Sequence, residues 1–134
     1  MIPMKCYALT GIAPEVIREL KQGKPRTLEL QSTHNVVTLA GISPGNHILV
    51  TSLDMDDLTP GDSGIMVELL SVSISMKRMV EFSMGLHYEE RERISARIQV
   101  KYCGTSIIKS VTRESVTHPT EVDVVRSTCC YHAG

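Results

Sequence analysis

The cleanest alternation in the chain is RISARIQVKY at 93–102. Ile94, Ala96, Ile98, Val100 and Tyr102 share one parity, and Arg93, Ser95, Arg97, Gln99 and Lys101 share the other. A period of two puts these sets on opposite faces of one β-strand. Shorter stretches repeat the pattern. MKCYAL at 4–9 sets Met4, Cys6 and Ala8 against Lys5, Tyr7 and Leu9, and TLELQ at 27–31 turns Leu28 and Leu30 inward. NHILVTS at 46–52, TSIIKSVTR at 105–113 and EVDVVR at 121–126 read as further strands. The Cys103–Gly104 dipeptide between two of them reads as a turn.

The period lengthens to a helical one after the first strand. In PEVIRELKQ at 14–22, Val16, Ile17 and Leu20 form one apolar face. Pro14 suits the first helical position, Glu15 the positive first turn and Lys21 the negative end. Gly23 is the expected stop. NVVTLAG at 35–41 reads as a short helix capped by Thr33 or Asn35 in preference to a continued strand. Thr51 and Asp54, in capping-box spacing, predict one helical turn before the turn TPGDSG.

The longest apolar stretch, GIMVELLSVSISM at 64–76, changes phase. Ile65, Val67 and Leu69 share one parity, whereas Val72, Ile74 and Met76 take the other. An uninterrupted strand would turn the second set to the opposite face. A β-bulge near Leu70–Ser71 restores the phase and bends the strand, and bent strands close small sheets into barrels. Residues 77–92 read as a long excursion with Met79, Phe82, Met84 and Leu86 partly buried. The pattern as a whole predicts an α+β domain at 1–126: a small, mainly antiparallel β-barrel of six or seven strands with one main helix after the first strand. A tail at 127–134 follows.

Composition narrows the function more than it defines it. The 134 residues carry 42% hydrophobic and 22% charged side chains with a net charge of −1, so a single packed domain is expected and a uniformly basic nucleic-acid surface is excluded. One Phe, four Tyr and no Trp leave few platforms for stacking several bases. With no apolar run near the ~20 residues of a membrane span and no signal-peptide pattern, a cytoplasmic, membrane-free protein is expected. Cys6, Cys103, Cys129 and Cys130 form no C-x-x-C pair, and the tail cysteines with His118 and His132 fit no zinc spacing. Asp54, Asp56, Asp57 and Asp62 lack the glycine placement and terminal glutamate of a calcium loop. No Gly-rich phosphate loop or nucleophile–His–acid spacing is visible. Neither metal nor cofactor is expected.

Residues that fold alone does not explain cluster after the helix. Lys24 and Arg26 could hold phosphates, and Glu29 could accept from an exocyclic amine. His34 and Asn35 would lie at the rim, and Thr51 and Ser52 would add hydroxyls at the end of the central strand. Arg93, Arg97 and Lys101 form a stripe on a strand face whose successive side chains lie ~7 Å apart, close to the phosphate spacing of a single strand.

The helix, Gly23, Lys24, Thr27 and Glu29, followed by Pro44, Gly45, Ile48, Val50, Gly64, Val67, Glu68 and Val72, resemble the ASCH domains of the PUA-like superfamily over about residues 14–76. Pro25 adds a residue between the lysine and the threonine, and Gln31 stands where an arginine is usual. The segments ALTGIAPEVIREL and VTSLDMDDLTPGDSGI are also similar to an uncharacterised archaeal family of small proteins. The ASCH resemblance implies a module binding RNA or a nucleotide between the first helix and the barrel. Joined to the residue chemistry above, it gives Lys24, Arg26, Glu29, His34, Asn35, Thr51, Ser52, Arg93 and Arg97 as the expected ligand-binding residues. It implies as an alternative a small amidohydrolase of a modified nucleoside, using Lys24, Thr27 and Glu68. A protein-interaction module docking through 77–92 is the third expectation, because exposed methionine makes adaptable contact surface.

Overall fold

The computed structural model describes residues 4–83, 87–112 and 119–126, and side chains within these ranges outside 77–92. Six strands and two α-helices make up the described chain. In order they are β1 (Met4–Leu9), α1 (Pro14–Leu20), β2 (Arg26–Leu30), α2 (Thr33–Ala40), β3 (His47–Val50), β4 (Ser63–Ser83), β5 (His87–Thr112) and β6 (Glu121–Arg126). A 3-10 turn at Met55–Asp57 precedes β4. The sheet runs β2-β5-β4-β3-β1-β6, and β6 pairs with β5 as well as β1. It is mixed: β1 and β3 are parallel, and every other pair is antiparallel.

Local sequence explains most of these elements. Pro14 opens α1 with Glu15 in its first turn. Gly23 takes φ +89°, a left-handed value favourable only to glycine, and so ends the helical segment cleanly. Helix α2 is the short helix expected at 35–41, beginning two residues earlier at Thr33. Its cap is Ser32 rather than Thr33 or Asn35: the Ser32 hydroxyl accepts from the Asn35 N–H at 3.4 Å.

The bulge expected in the long strand is present. Leu69 pairs with Val100 and Ser71 with Gln99, which leaves Leu70 without a partner on β5. The extra residue turns Val72 back onto the face of Leu69, where it packs on the core. Ile74 and Met76 follow on that face but are 43% and 61% exposed. The reason lies in β2, which covers β5 only as far as the Leu30–Ala96 pair. From there β4 and β5 continue as a two-stranded ribbon.

Two expectations from the sequence are corrected here. Residues 77–83 and 87–92 are not an excursion but the outer strands of that ribbon, paired in register from Lys77–Arg93 to Ser83–His87. The burial expected for Met79 and Phe82 concerns side chains outside the described set, as do Met84 and Leu86. Cys103–Gly104 is not a turn. Met66 pairs with Gly104 and Val67 with Tyr102, so β5 runs straight through with Cys103 as the extra residue of a second bulge. Gly104, at φ +146°, supplies a backbone conformation that other residues rarely adopt. The tail at 127–134, with Cys129, Cys130 and His132, lies outside the described residues, as does His118.

Apolar side chains collect on both faces of the sheet. The larger cluster joins Leu9, Leu20, Leu28, Leu30, Val36, Leu39, Ile48, Val50, Ile65, Val67, Leu69, Ile98 and Val100, and buries both helices against β2–β5. The smaller takes the alternate residues: Ala8, Leu49, Leu58, Met66, Ile108, Val122 and Val124. Ile48/Leu49 and Ile65/Met66 therefore point to opposite faces and are both buried, as expected where a sheet is covered on both sides. Among the described residues, no helix is long and apolar enough to cross a membrane.

Candidate functional site

Between the segment leaving β1 and the edge strand β2 lies a cleft of about 320 Å³. Gly11, Ile12, Ala13 and Val16 line one side, and Arg26, Thr27, Leu28, Glu29 and Leu30 line the other. The alternation of β2 shapes it: Leu28 and Leu30 turn to the core, and Thr27 and Glu29 are exposed. Arg26 is half-buried and forms an ion pair with Glu19 of α1, which ties the strand to the helix. Such partly exposed pairs add little stability, so the contact mainly orients the guanidinium.

The exposed face of β2–β5–β4 continues outward from Thr27 and Glu29. The Gln99 amide donates to Thr27 Oγ1 at 3.5 Å, and the Ser71 hydroxyl donates to Gln99 Oε1 at 3.4 Å. One step along, Glu29 pairs in register with Arg97, and Arg97 with Ser73. Ser75 and Ser95 follow, their hydroxyls 3.1 Å apart, and then Arg93 opposite Lys77. The three strands thus present a polar track of hydroxyl, amide, carboxylate and guanidinium groups.

The other residues named from the sequence are dispersed. Lys24 is exposed in the turn before β2 and does not line the cleft. His34 and Asn35 are not rim residues, which corrects the expectation; both are buried in the first turn of α2. Asn35 Oδ1 accepts from the Thr10 N–H at 3.0 Å while its Nδ2 donates to the Thr10 carbonyl at 2.9 Å. His34 Nε2 lies 3.0 Å from the Thr120 hydroxyl. Thr51 is buried too, its hydroxyl accepting from the Leu53 N–H at 3.2 Å, and Ser52 alone of that pair is exposed.

Glu68 stands apart from Lys24 and Thr27, with which the alternative reading joined it. Thr27 pairs with Gln99 on one side of β5, and Glu68 pairs with Lys101 on the other, two positions along. Strand geometry separates them by on the order of 10 Å. Glu68 instead faces His47 in the β3–β4 register. His47, Glu68 and Cys103 bring one donor atom each to within 4.8 Å of one another. Sequence reasoning missed this group, whose members lie on three strands; the bulge that delivers Cys103 shows only in the pairing.

A second cleft, about 470 Å³, opens where β1 and β3 diverge below their Ala8–Leu49 pair; Lys5, Cys6, His47 and Glu121 are among its lining. Burial pushes the Cys6 thiol up to about 11. A hydrogen bond from the Leu49 backbone opposes the rise, and the nearby Asp123 carboxylate adds to it.

Fold and clefts together define a mixed-sheet α+β protein with a polar three-strand face and a small cleft against its first helix. Over residues 4–122 the chain matches the family described as "Protein of unknown function (DUF473)", and it belongs to that family. It is similar to the uncharacterised protein MJ0105 of Methanocaldococcus jannaschii, at 28% identity over 113 residues, covering 84% of this chain and 69% of that protein. The resemblance to an uncharacterised archaeal family is thereby shown.

Proposed function

We propose that this chain is a binding module for a nucleotide or single-stranded RNA segment, seated in the cleft between α1 and β2 and continued along the β2–β5–β4 face. The observation that carries the reading is the co-location of Arg26 and Glu29 in one cleft, with Arg97 of β5 directly opposite Glu29. A guanidinium can hold a phosphate as a planar fork, and a carboxylate can accept from a base amine. Cleft volume near 320 Å³ suits one base or nucleotide rather than a folded RNA. The track of Gln99, Arg97, Ser95 and Arg93 would follow the backbone beyond it. Pairing of β6 with both β1 and β5 is consistent with a small closed barrel of the PUA-like kind, and the resemblance to ASCH domains adds to the case for RNA.

The experiment is a titration of fluorescent single-stranded RNA and of free nucleotides at several salt concentrations. Salt-sensitive binding that weakens on Arg97→Ala supports the reading. Absence of binding to any RNA pool or nucleotide at low salt refutes it.

A further inference from the structure

We propose that His47, Glu68 and Cys103 form a zinc-binding site at one end of the smaller core. The three residues occupy adjacent strands β3, β4 and β5 and offer an imidazole nitrogen, a carboxylate oxygen and a thiolate sulfur, all ordinary zinc ligands. Their donor atoms lie within 4.8 Å of one another. Zinc–ligand lengths of about 2.0–2.3 Å place tetrahedral donors about 3.3–3.6 Å apart, so closure on the ion needs about 1 Å of side-chain adjustment.

Backbone geometry makes this more than a chance cross-strand pair. His47 and Glu68 are directly opposed and come two residues before Leu49 and two after Met66, so all four share the face that carries the smaller core. A His–Glu pair alone needs nothing from β5. Cys103 joins it because the bulge inserts that residue between the pairs made by Tyr102 and Gly104, and it packs on the same cluster. Bulges re-aim side chains in this way beside functional sites. The Cys103 thiol donates to the Lys101 carbonyl at 3.6 Å, a long and weak bond that a zinc–thiolate bond would replace.

Exposure sets the coordination type. His47 is exposed, whereas Glu68 and Cys103 are half-buried. Three protein donors with one flank open leave a fourth tetrahedral position for water or an incoming ligand atom. Of the three donors, His47 also lines the 470 Å³ cleft, so the site borders that cavity at its imidazole. The site shares no residue with the α1–β2 cleft, and its fate is independent of RNA binding.

The test uses the full chain carrying Cys129→Ser and Cys130→Ser, so that tail thiols do not report. After dialysis against a chelator, zinc is titrated by calorimetry and cobalt by absorbance. The expected result is one zinc per chain with micromolar or tighter affinity, and a thiolate-to-cobalt charge-transfer band. Cys103→Ser should abolish the band, and Glu68→Gln and His47→Gln should each weaken zinc at least tenfold. Circular dichroism checks that each variant folds, and exposed His47 is the substitution least able to disturb the core. Absence of stoichiometric zinc in the parent overturns the proposal. So does an unchanged affinity in folded His47→Gln, or a cobalt band that survives Cys103→Ser.

Discussion

The Asn35 side chain holds both backbone polar groups of Thr10, accepting from its N–H at 3.0 Å and donating to its carbonyl at 2.9 Å. Along β1, Ala8 donates its N–H to the Thr120 carbonyl, and Leu9 accepts from the Thr51 N–H on the opposite edge. The amide of Asn35 therefore fills the place where another strand residue would continue the ladder beyond Thr120. Both partners are buried, so water cannot substitute. Asn35→Asp removes the donor, and Asn35→Leu removes donor and acceptor. Each should destabilise by about 2–4 kcal/mol, since a buried group without its partner costs about 1–3 kcal/mol. Urea denaturation measures the loss; a change under about 0.5 kcal/mol would show that the clamp is dispensable.

Close packing makes Gly64 equally sensitive, for a different reason. A Cβ at that position would sit 2.9 Å from Leu49 Cδ1 and 2.9 Å from the Val50 carbonyl oxygen. The leucine methyl can rotate away, but the carbonyl belongs to the neighbouring strand of the ladder. Gly64→Ala should destabilise by about 1–3 kcal/mol, the usual range for overpacking. A denaturation midpoint equal to that of the parent would show that β3 and β4 can separate at no cost.

What the sequence disclosed depended on whether the signal was local. The Leu70 bulge was legible because a parity switch within one strand exposes itself in the order of residues. The second bulge was hidden: Cys103–Gly104 looks like turn chemistry, and only the Met66–Gly104 and Val67–Tyr102 pairs distinguish bulge from turn. His34 and Asn35 were misplaced at a rim because polar residues are usually exposed, and their partners Thr120 and Thr10 are far away in the chain. That Arg26, Thr27 and Glu29 border one cleft is legible because helix stop and edge strand are adjacent in sequence. The His47–Glu68–Cys103 group was not, since its spacings follow no motif and arise only from three strands in register.

Cys6 titration should leave a pH signature. The folded thiol is raised from about 9 to about 11, chiefly by burial, so the folded state binds its proton more tightly than the unfolded state. That contribution to stability is complete below pH 9, declines between 9 and 11, and is gone above the folded value. Denaturation across this window should show a falling stability that Cys6→Ala flattens. Iodoacetamide at pH 8 should also label Cys6 more slowly in the folded protein than in the same protein unfolded in urea, because alkylation requires the thiolate. Peptide mapping that finds Cys6 modified equally fast in both would contradict a raised thiol.

Salt dependence separates the arginine track from a generic surface. Each phosphate neutralised on a single strand contributes about 0.7 to the slope of log affinity against log salt. Arg97 and Arg93 are exposed and lie four residues apart on β5, roughly 13 Å along the strand and two phosphate steps by that measure. If both engage the backbone, Arg97→Ala and Arg93→Ala should each lower the slope by about 0.7, and the double variant by about 1.4. Arg97 also stands across from Glu29, so its removal should raise repulsion between that carboxylate and phosphate and weaken binding more than Arg93→Ala does. Glu29→Gln should have the opposite sign for phosphate and reduce discrimination among bases. Equal slopes in parent and double variant would place the RNA elsewhere on the molecule.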